Sequence, residues 1–292
     1  MKKIILTLAA FIMAMSANAQ LLWKVSGNGC RADSYIFGTH HIAPVSILDN
    51  TNGFDIALSG VDQVYGEVDM STLTDPTAQQ SIVAMAMAPA ASTLSKLLLP
   101  AQLDSLNTVL AKYTNGMSTV AQMEPLKPAM IATQLAAMQS MVAIPEFSQN
   151  QQLDQVIQEK ARAMGKEIHG FETLAQQMQM LMGNPLTEQA ADLMTSIRND
   201  DKSLAMAREL FTAYSNGNLA EMERIMTDPA SGTTPESTER LINQRNATWA
   251  EKLNGLMRQN SLLVAVGAGH LPGEKGLLQL LRNAGFTVEP VK

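Results

Sequence analysis

Cysteine occurs once in this chain, at Cys30. One thiol excludes an intramolecular disulfide, so in an oxidising compartment stability has to come from the packed core. Histidine is scarce too, with only His40, His41, His169 and His270. Beyond the N-terminal segment no stretch approaches 18 uninterrupted apolar residues, so nothing in the rest of the chain reads as a membrane span. Two catalytic signatures are missing as well. No Gly-Lys-Ser/Thr exists for a phosphate-cradling loop, and no GxSxG for a nucleophile elbow. A dinucleotide fingerprint also fails, because Gly267, Gly269 and Gly273 give GxGxxxG, one residue too long.

The N-terminus reads as an export signal. Lys2 and Lys3 precede an apolar run from Ile4 to Met15, and Ala17-Asn18-Ala19 is a small-residue cleavage site, which makes Gln20 the first mature residue. The expected location is the periplasm or beyond. Removing Lys2 and Lys3 leaves 19 Lys and Arg against 27 Asp and Glu, a net charge of −8. Such an acidic product is a poor candidate for binding nucleic acid or an anionic membrane. Residues 20–292 are long enough for one substantial core and read as a single domain.

The two ends carry the strand signals. Leu21 to Val25 alternates into the turn Ser26-Gly27-Asn28-Gly29, and Ser34 to Phe37 returns, as a hairpin. Helical spacing covers Ser46 to Ser59, with Ile47, Ile56 and Leu58 as its apolar positions. Val61 to Met70 reads as a strand with Tyr65, Glu67 and Asp69 on one side. From about residue 74 to 260 the chain is helical, with breaks near Pro89, Pro100 and Pro125. Later helices are expected at Phe147–Met164, Thr173–Met182, Leu186–Tyr214, Leu219–Met226 and Pro235–Gln259, with a short strand near His169. Ser261 to Val266 is a continuous apolar run, as in a strand buried on both faces. A helix from Gly273 to Asn283 and a strand from Phe286 to Val291 follow. The expected fold is mixed α/β: a central mixed sheet built from the N- and C-terminal regions, with a large helical middle packed on it. The 20 methionines, interleaved with Ala and Leu in the helices, read as packing filler rather than a copper(I) site.

Chemistry concentrates where strands end in glycine. In "YIFGTHH" a strand runs into Gly38, and His41 lies three residues on. In "VAVGAGH" a strand runs into Gly267, and His270 lies three residues on. Glycine lets the backbone turn and approach a ligand, and the carboxyl ends of strands are where open α/β sheets bind ligands. Adjacent side chains diverge, so only one of His40 and His41 should serve as ligand or catalyst. Glu67 adds a carboxylate from the next strand. Two histidines and one carboxylate with an open position form a hydrolytic metal set, provided the three converge. Arg245, four residues before Trp249 on one helix face, either stacks on that ring or clamps a substrate carbonyl. His169 reads as structural, with Glu172 as a helix-start carboxylate.

With these residues in view, the chain resembles the TraB/GumN family, which includes the Tiki proteins. The resemblance runs through "YIFGTHH", "GEVD" (66–69), "GFETLAQQ" (170–177), "LINQRNATWA" (241–250) and "VAVGAGHLPGEKGLLQLLRNAGFTV" (264–288), in order over nearly the whole chain after residue 19. It implies a metal-dependent hydrolase, most readily a peptidase. His41, His270 and Glu67 would hold a divalent metal such as Mn, Co or Zn, with Glu67 as third ligand or general base. It also implies site roles for Arg245, which would hold the substrate carbonyl, and Asn246, which would donate a hydrogen bond. Gly38, Gly267 and His40 become supporting residues around the site. The expected partner is a peptide or small-molecule substrate. Two other readings keep the same residues: a pocket that binds a metal or a haem-like ligand without turnover, and a partner-docking helical protein with a vestigial site. Glu67 and Arg245 favour the first reading, since plain binding needs neither a base nor a carbonyl clamp.

Overall fold

The computed structural model describes residues 20–147, 151–228 and 233–292. The expected signal segment lies outside the described residues, as do residues 148–150 in the first turn of the expected 147–164 helix. Six strands form one mixed sheet: β1 (Leu22–Ser26), β2 (Ser34–Thr39), β3 (Gln63–Gly66), β4 (Glu167–Gly170), β5 (Leu262–Gly267) and β6 (Thr287–Pro290), in the order β4-β3-β5-β2-β1-β6. β1 and β2 are the expected hairpin, with Trp23 opposite Ile36, and β6 pairs antiparallel to β1. β4, β3, β5 and β2 all run parallel. Their carboxyl ends therefore share one edge of the sheet, which brings the two Gly-x-x-His motifs to the same rim. β5 lies between β3 and β2, and its first five residues are buried, which accounts for the unbroken apolar run. The mixed α/β class is borne out.

Several boundaries differ from the sequence reading, each for a local reason. The strand expected over Val61–Met70 ends at Gly66. Beyond it the buried Gln158 side chain donates to Val68 O (2.8 Å) and accepts from Met70 N (2.8 Å), so these backbone groups find a side-chain partner instead of a strand. A Cβ at Gly66 would lie 2.5 Å from Gln158 Nε2, so only glycine admits that amide. Asp69 then caps a 3-10 turn, Met70–Thr74, accepting from Ser71 N at 2.9 Å. The Ser46–Ser59 helix is reduced to a 3-10 turn and a helix Phe54–Gly60, because Gly53 adopts a left-handed φ of 77°. Leu58 is buried as expected, but Ile56, read as apolar-facing, is 75% exposed, and Phe54 and Ala57 are buried with Leu58 instead. The helices do break near Pro89, Pro100 and Pro125, and Pro100 itself opens the helix Pro100–Thr114, since the first helical turn needs no amide donor there. The 147–164 helix is described as Leu153–Ala163, the 186–214 helix divides at Asn199, and the last helix begins at Leu277. The stretch 235–259 contains a π-helical turn, Glu239–Asn243, immediately before the helix Gln244–Leu256.

The helical middle is not one layer. The helices Leu153–Ala163 and Gln244–Leu256 bury Leu153, Ile157, Trp249 and Leu253 in the core that contains the sheet. Leu94, Leu106, Leu110, Ile131, Leu135 and Leu193 form a second core of their own. Among the described residues no helix is long and apolar enough to cross a membrane.

Candidate active site

Each parallel strand delivers a side chain to the rim just past its last residue: His41 after β2, Glu67 after β3, Glu172 after β4 and His270 after β5. The helix Gln244–Leu256 crosses this rim and contributes Arg245, Asn246 and Trp249; the helix Leu153–Ala163 contributes Asp154.

His270 sits in a 3-10 turn, Ala268–His270, and is buried. Its Nδ1 is 2.7 Å from Asn246 Oδ1, while Asn246 Nδ2 donates to His270 O (3.1 Å) and Lys275 O (2.9 Å). Those two donations fix the amide orientation, so Oδ1 accepts and His270 carries its proton on Nδ1. Nε2 is left with its lone pair. It lies 3.0 Å from Arg245 Nη1 and 3.7 Å from Glu67 Oε1. Burial pushes the imidazole down to about 4, with Glu67 pulling the other way.

Glu67 Oε1 accepts from Gly267 N (2.9 Å), and Oε2 accepts from Arg245 Nη2 (2.5 Å) and Gln177 Nε2 (3.0 Å). A Cβ at residue 267 would stand 3.1 Å from Oε1, which explains the glycine: the carboxylate lies against bare backbone. Burial acts to raise the Glu67 carboxyl, but the charges of His270, His41 and Arg245 outweigh it and hold it at about 2. Of these, the guanidinium is charged at every relevant pH.

Arg245 uses all five of its N–H donors. Nε and Nη2 grip Glu172 Oε1 and Oε2 at 2.8 and 3.0 Å, Nη2 also reaches Glu67, and Nη1 donates to Leu241 O (2.9 Å) and His270 Nε2. The guanidinium lies 4.6 Å from the Trp249 ring, which stacks on Phe171 at 5.2 Å. The sequence reading gave Arg245 a choice between stacking and carbonyl clamping. The structure shows the stacking, and it leaves neither Arg245 nor Asn246 a spare donor for a substrate.

His41 is held separately. Its Nδ1 lies 2.8 Å from Asp154 Oδ2, and Asp154 Oδ1 accepts from Thr39 Oγ1 at 2.8 Å. Asp154 pushes the imidazole up to about 9, against desolvation, although the side chain is 66% exposed and water screens that attraction. The His41 charge also acts on Glu67 and His270, so the ring stands near the cluster without bonding to it. His40 turns away. It packs on Tyr214 (5.1 Å) and Phe211 (6.3 Å), burial holds it at about 4, and its buried Nδ1 has no hydrogen-bond partner among the described residues. Gly38 admits the close approach of Ala268 and Leu271, where a Cβ would meet them at 3.0–3.1 Å. His169 stacks on Tyr65 (4.9 Å), away from the cluster.

The structure thus brings Glu67, His270, Arg245 and Asn246 into direct contact, with His41 apart. Sequence reasoning missed Asp154, gave no role to Gln177 although it closes the "GFETLAQQ" segment, and read Glu172 as a helix-start carboxylate. Thr173 caps that helix, and Glu172 is spent on Arg245. The signal for Asp154 was its position among the buried residues Leu153, Ile157, Gln158 and Ala161, where an acid has to have a partner.

The donor chemistry fits the divalent metal that the resemblance implies. Asn246 and Asp154 tie back Nδ1 of the two histidines and present Nε2, the arrangement that metal-bound histidines adopt. Glu67, Glu172 and Arg245 carry a net charge of −1 with side chains only 10–12% exposed, a surplus that a cation would relieve. Among the described residues, however, no three His, Cys, Asp or Glu side chains already stand together at metal-ligand spacing. A cavity of about 820 Å³ beside Trp23, Leu271 and Arg282 does not include this cluster. A groove of about 490 Å³ between the helices Pro76–Ala86 and Leu174–Met182 reaches it through Glu172.

A metalloprotease TIKI homolog from Amphimedon queenslandica is 25% identical to this chain over 165 residues, 47% of this chain and 32% of that protein. The chain therefore aligns with about a third of the length of this curated relative. No solved structure matches it. The TraB/PrgY/gumN family matches residues 21–290, which spans both histidine motifs and every residue of the cluster: the chain belongs to the TraB/PrgY/gumN family.

Proposed function

We propose that this protein is an exported, metal-dependent hydrolase acting on peptide bonds. The observation that carries the reading is the pairing of His270 Nε2 with Glu67 Oε1 at 3.7 Å, in a buried cluster with one negative charge in excess. His270, Glu67 and His41 would hold the ion. A divalent cation there supplies Lewis acidity toward an amide carbonyl and toward water. Above about pH 5 Glu67 is ionised and His270 neutral, so both are already in the state that ligation requires. His41, raised by Asp154, gives up a proton on ligation. Asp154 and Asn246 orient the two rings. Glu67 would either complete the donor set or serve as general base toward water, its Oε2 steadied by Gln177. The groove past Glu172 offers a peptide an apolar approach. The relative's description as a metalloprotease supports the activity, and the export signal read from the sequence at residues 1–19 supports the export.

The test uses protein freed of metal and then supplied with Mn²⁺, Co²⁺ or Zn²⁺. One ion per chain should bind, binding should weaken in both His41→Ala and His270→Ala, and a peptide library should be cleaved only by the loaded protein. Undiminished binding by both variants would overturn the shared site, and cleavage by Glu67→Gln would remove Glu67 as the base.

A further inference from the structure

Arg245 sits where an incoming cation would have to go. The lone pair of His270 Nε2 accepts one partner, and Arg245 Nη1 already donates to it at 3.0 Å. Glu67 Oε2 is likewise engaged by Nη2. A divalent ion cannot share these atoms with a guanidinium, both for lack of space and because like charges at this separation repel strongly in a buried site. Yet Arg245 is not anchored by these two bonds. Its stronger attachment is the paired grip on Glu172, through Nε at 2.8 Å and Nη2 at 3.0 Å, supported by Leu241 O and the Trp249 ring. Giving up His270 and Glu67 costs the guanidinium two of its five bonds and leaves the other three in place.

We propose that Arg245 is the built-in counter-cation of Glu67 and His270, and that Glu172 is the positioning carboxylate onto which it withdraws when a divalent ion enters. The inference rests on the metal reading above. It gives Glu172 a function that neither capping nor substrate contact provides: it holds a displaced positive charge so that Glu67 and His270 are released together. It also makes Arg245 a barrier to weakly bound cations, because any ion has to outcompete two charge-assisted bonds before it gains its own ligands.

Calorimetric titration of metal-free protein with MnCl₂ and ZnCl₂ tests this, with thermal midpoints recorded with and without ion. Glu172→Gln should bind metal about tenfold or more weakly than wild type, since Arg245 is then left with Glu67 as its only full carboxylate partner. Arg245→Gln should bind about tenfold more tightly. Because that variant strands two buried carboxylates, which destabilises the metal-free fold, the double variant Glu172→Gln with Arg245→Gln is the control. It removes one charge of each sign and should bind more tightly than wild type. A purely structural Glu172 would make the double variant at least as weak as Glu172→Gln. That result, or equal affinity in wild type and Glu172→Gln, overturns the proposal while leaving the metal reading standing. If wild type and both arginine variants bind no ion, the metal reading fails and takes the proposal with it.

Discussion

Asp200 in the helical region and Glu67 at the sheet rim are both buried carboxylates surrounded by protein donors, yet their surroundings differ in charge balance. Asp200 accepts from Tyr113 Oη (2.7 Å) and Gln139 Nε2 (2.8 Å) on Oδ1 and from Lys112 Nζ (2.5 Å) on Oδ2. These donors come from the helices Pro100–Thr114 and Pro128–Ala143, so one anion joins them to Asp200–Ser215 and closes the set. Lys112 is 43% exposed and also meets the open Asp201, so water and the surface complete the balance. At the rim, Glu67 and Glu172 share one guanidinium, and Asp154 is matched only when His41 is protonated. Burial of charge is common to both places; a surplus of it belongs to the rim alone.

The largest effect expected of that difference is on catalysis. If the protein cleaves peptides as proposed, Glu67→Gln should lower that rate by about 10²- to 10⁴-fold, whereas Asp200→Asn should leave the turnover per folded molecule as it is. Steady-state assays on the two variants check this, and equal losses would erase the contrast between the regions. Next in size, Asp154→Asn should weaken metal binding by about 10- to 100-fold, because it releases the His41 ring from its 2.8 Å anchor. Titration calorimetry reads that change, and an unaltered affinity would place His41 outside the donor set.

Stability should respond in the opposite region. Asp200→Ala leaves the Gln139 amide and the Tyr113 hydroxyl without their acceptor and should cost about 1–3 kcal/mol in denaturant unfolding. Burial acts to raise the Asp200 carboxyl, but the bonds from Lys112, Gln139 and Tyr113 outweigh it and hold it below its ordinary value. A depressed carboxyl stabilises the fold above the unfolded-state value, near pH 4, and that stabilisation fades as the pH falls further. The stability gap between wild type and Asp200→Asn should therefore be full at neutral pH and close on acidification. A gap that widened in acid would contradict the assignment.

How much of this was legible in the sequence follows from how local each constraint is. Gly38 and Gly267 mark places where backbone or a carboxylate comes too close for a Cβ, and such a constraint shows as strand-Gly-x-x-His in one dimension. The buried run of β5 was equally plain. The His41–Asp154 bond joins residues 113 positions apart, and no spacing rule connects a loop to the second residue of a distant helix. An apolar stripe marks a helix there, but it does not show that the polar residues Asp154 and Gln158 share the buried face with Leu153 and Ile157, where they fix His41 and end β3. Separation of the helical middle into two cores was also hidden, because Ala-, Leu- and Met-rich helices carry the same pattern whichever partner they pack on.

The smallest expected effect concerns those methionines. Met178, Met182, Met194, Met222 and Met257 are buried, while Met117 is 76% exposed. If they are gap fillers, shape matters little at each site. Met194, packed in the second core with Leu193 and Ile197, should tolerate Leu at a cost below about 1.5 kcal/mol. Met117→Ser should change stability by no more than about 0.5 kcal/mol. Chemical denaturation of the two variants measures both. A loss of several kcal/mol at Met194 would mean that its thioether fills a shape leucine cannot reproduce. The second core would then be as closely specified as the rim, and the contrast between the two regions would rest on charge alone.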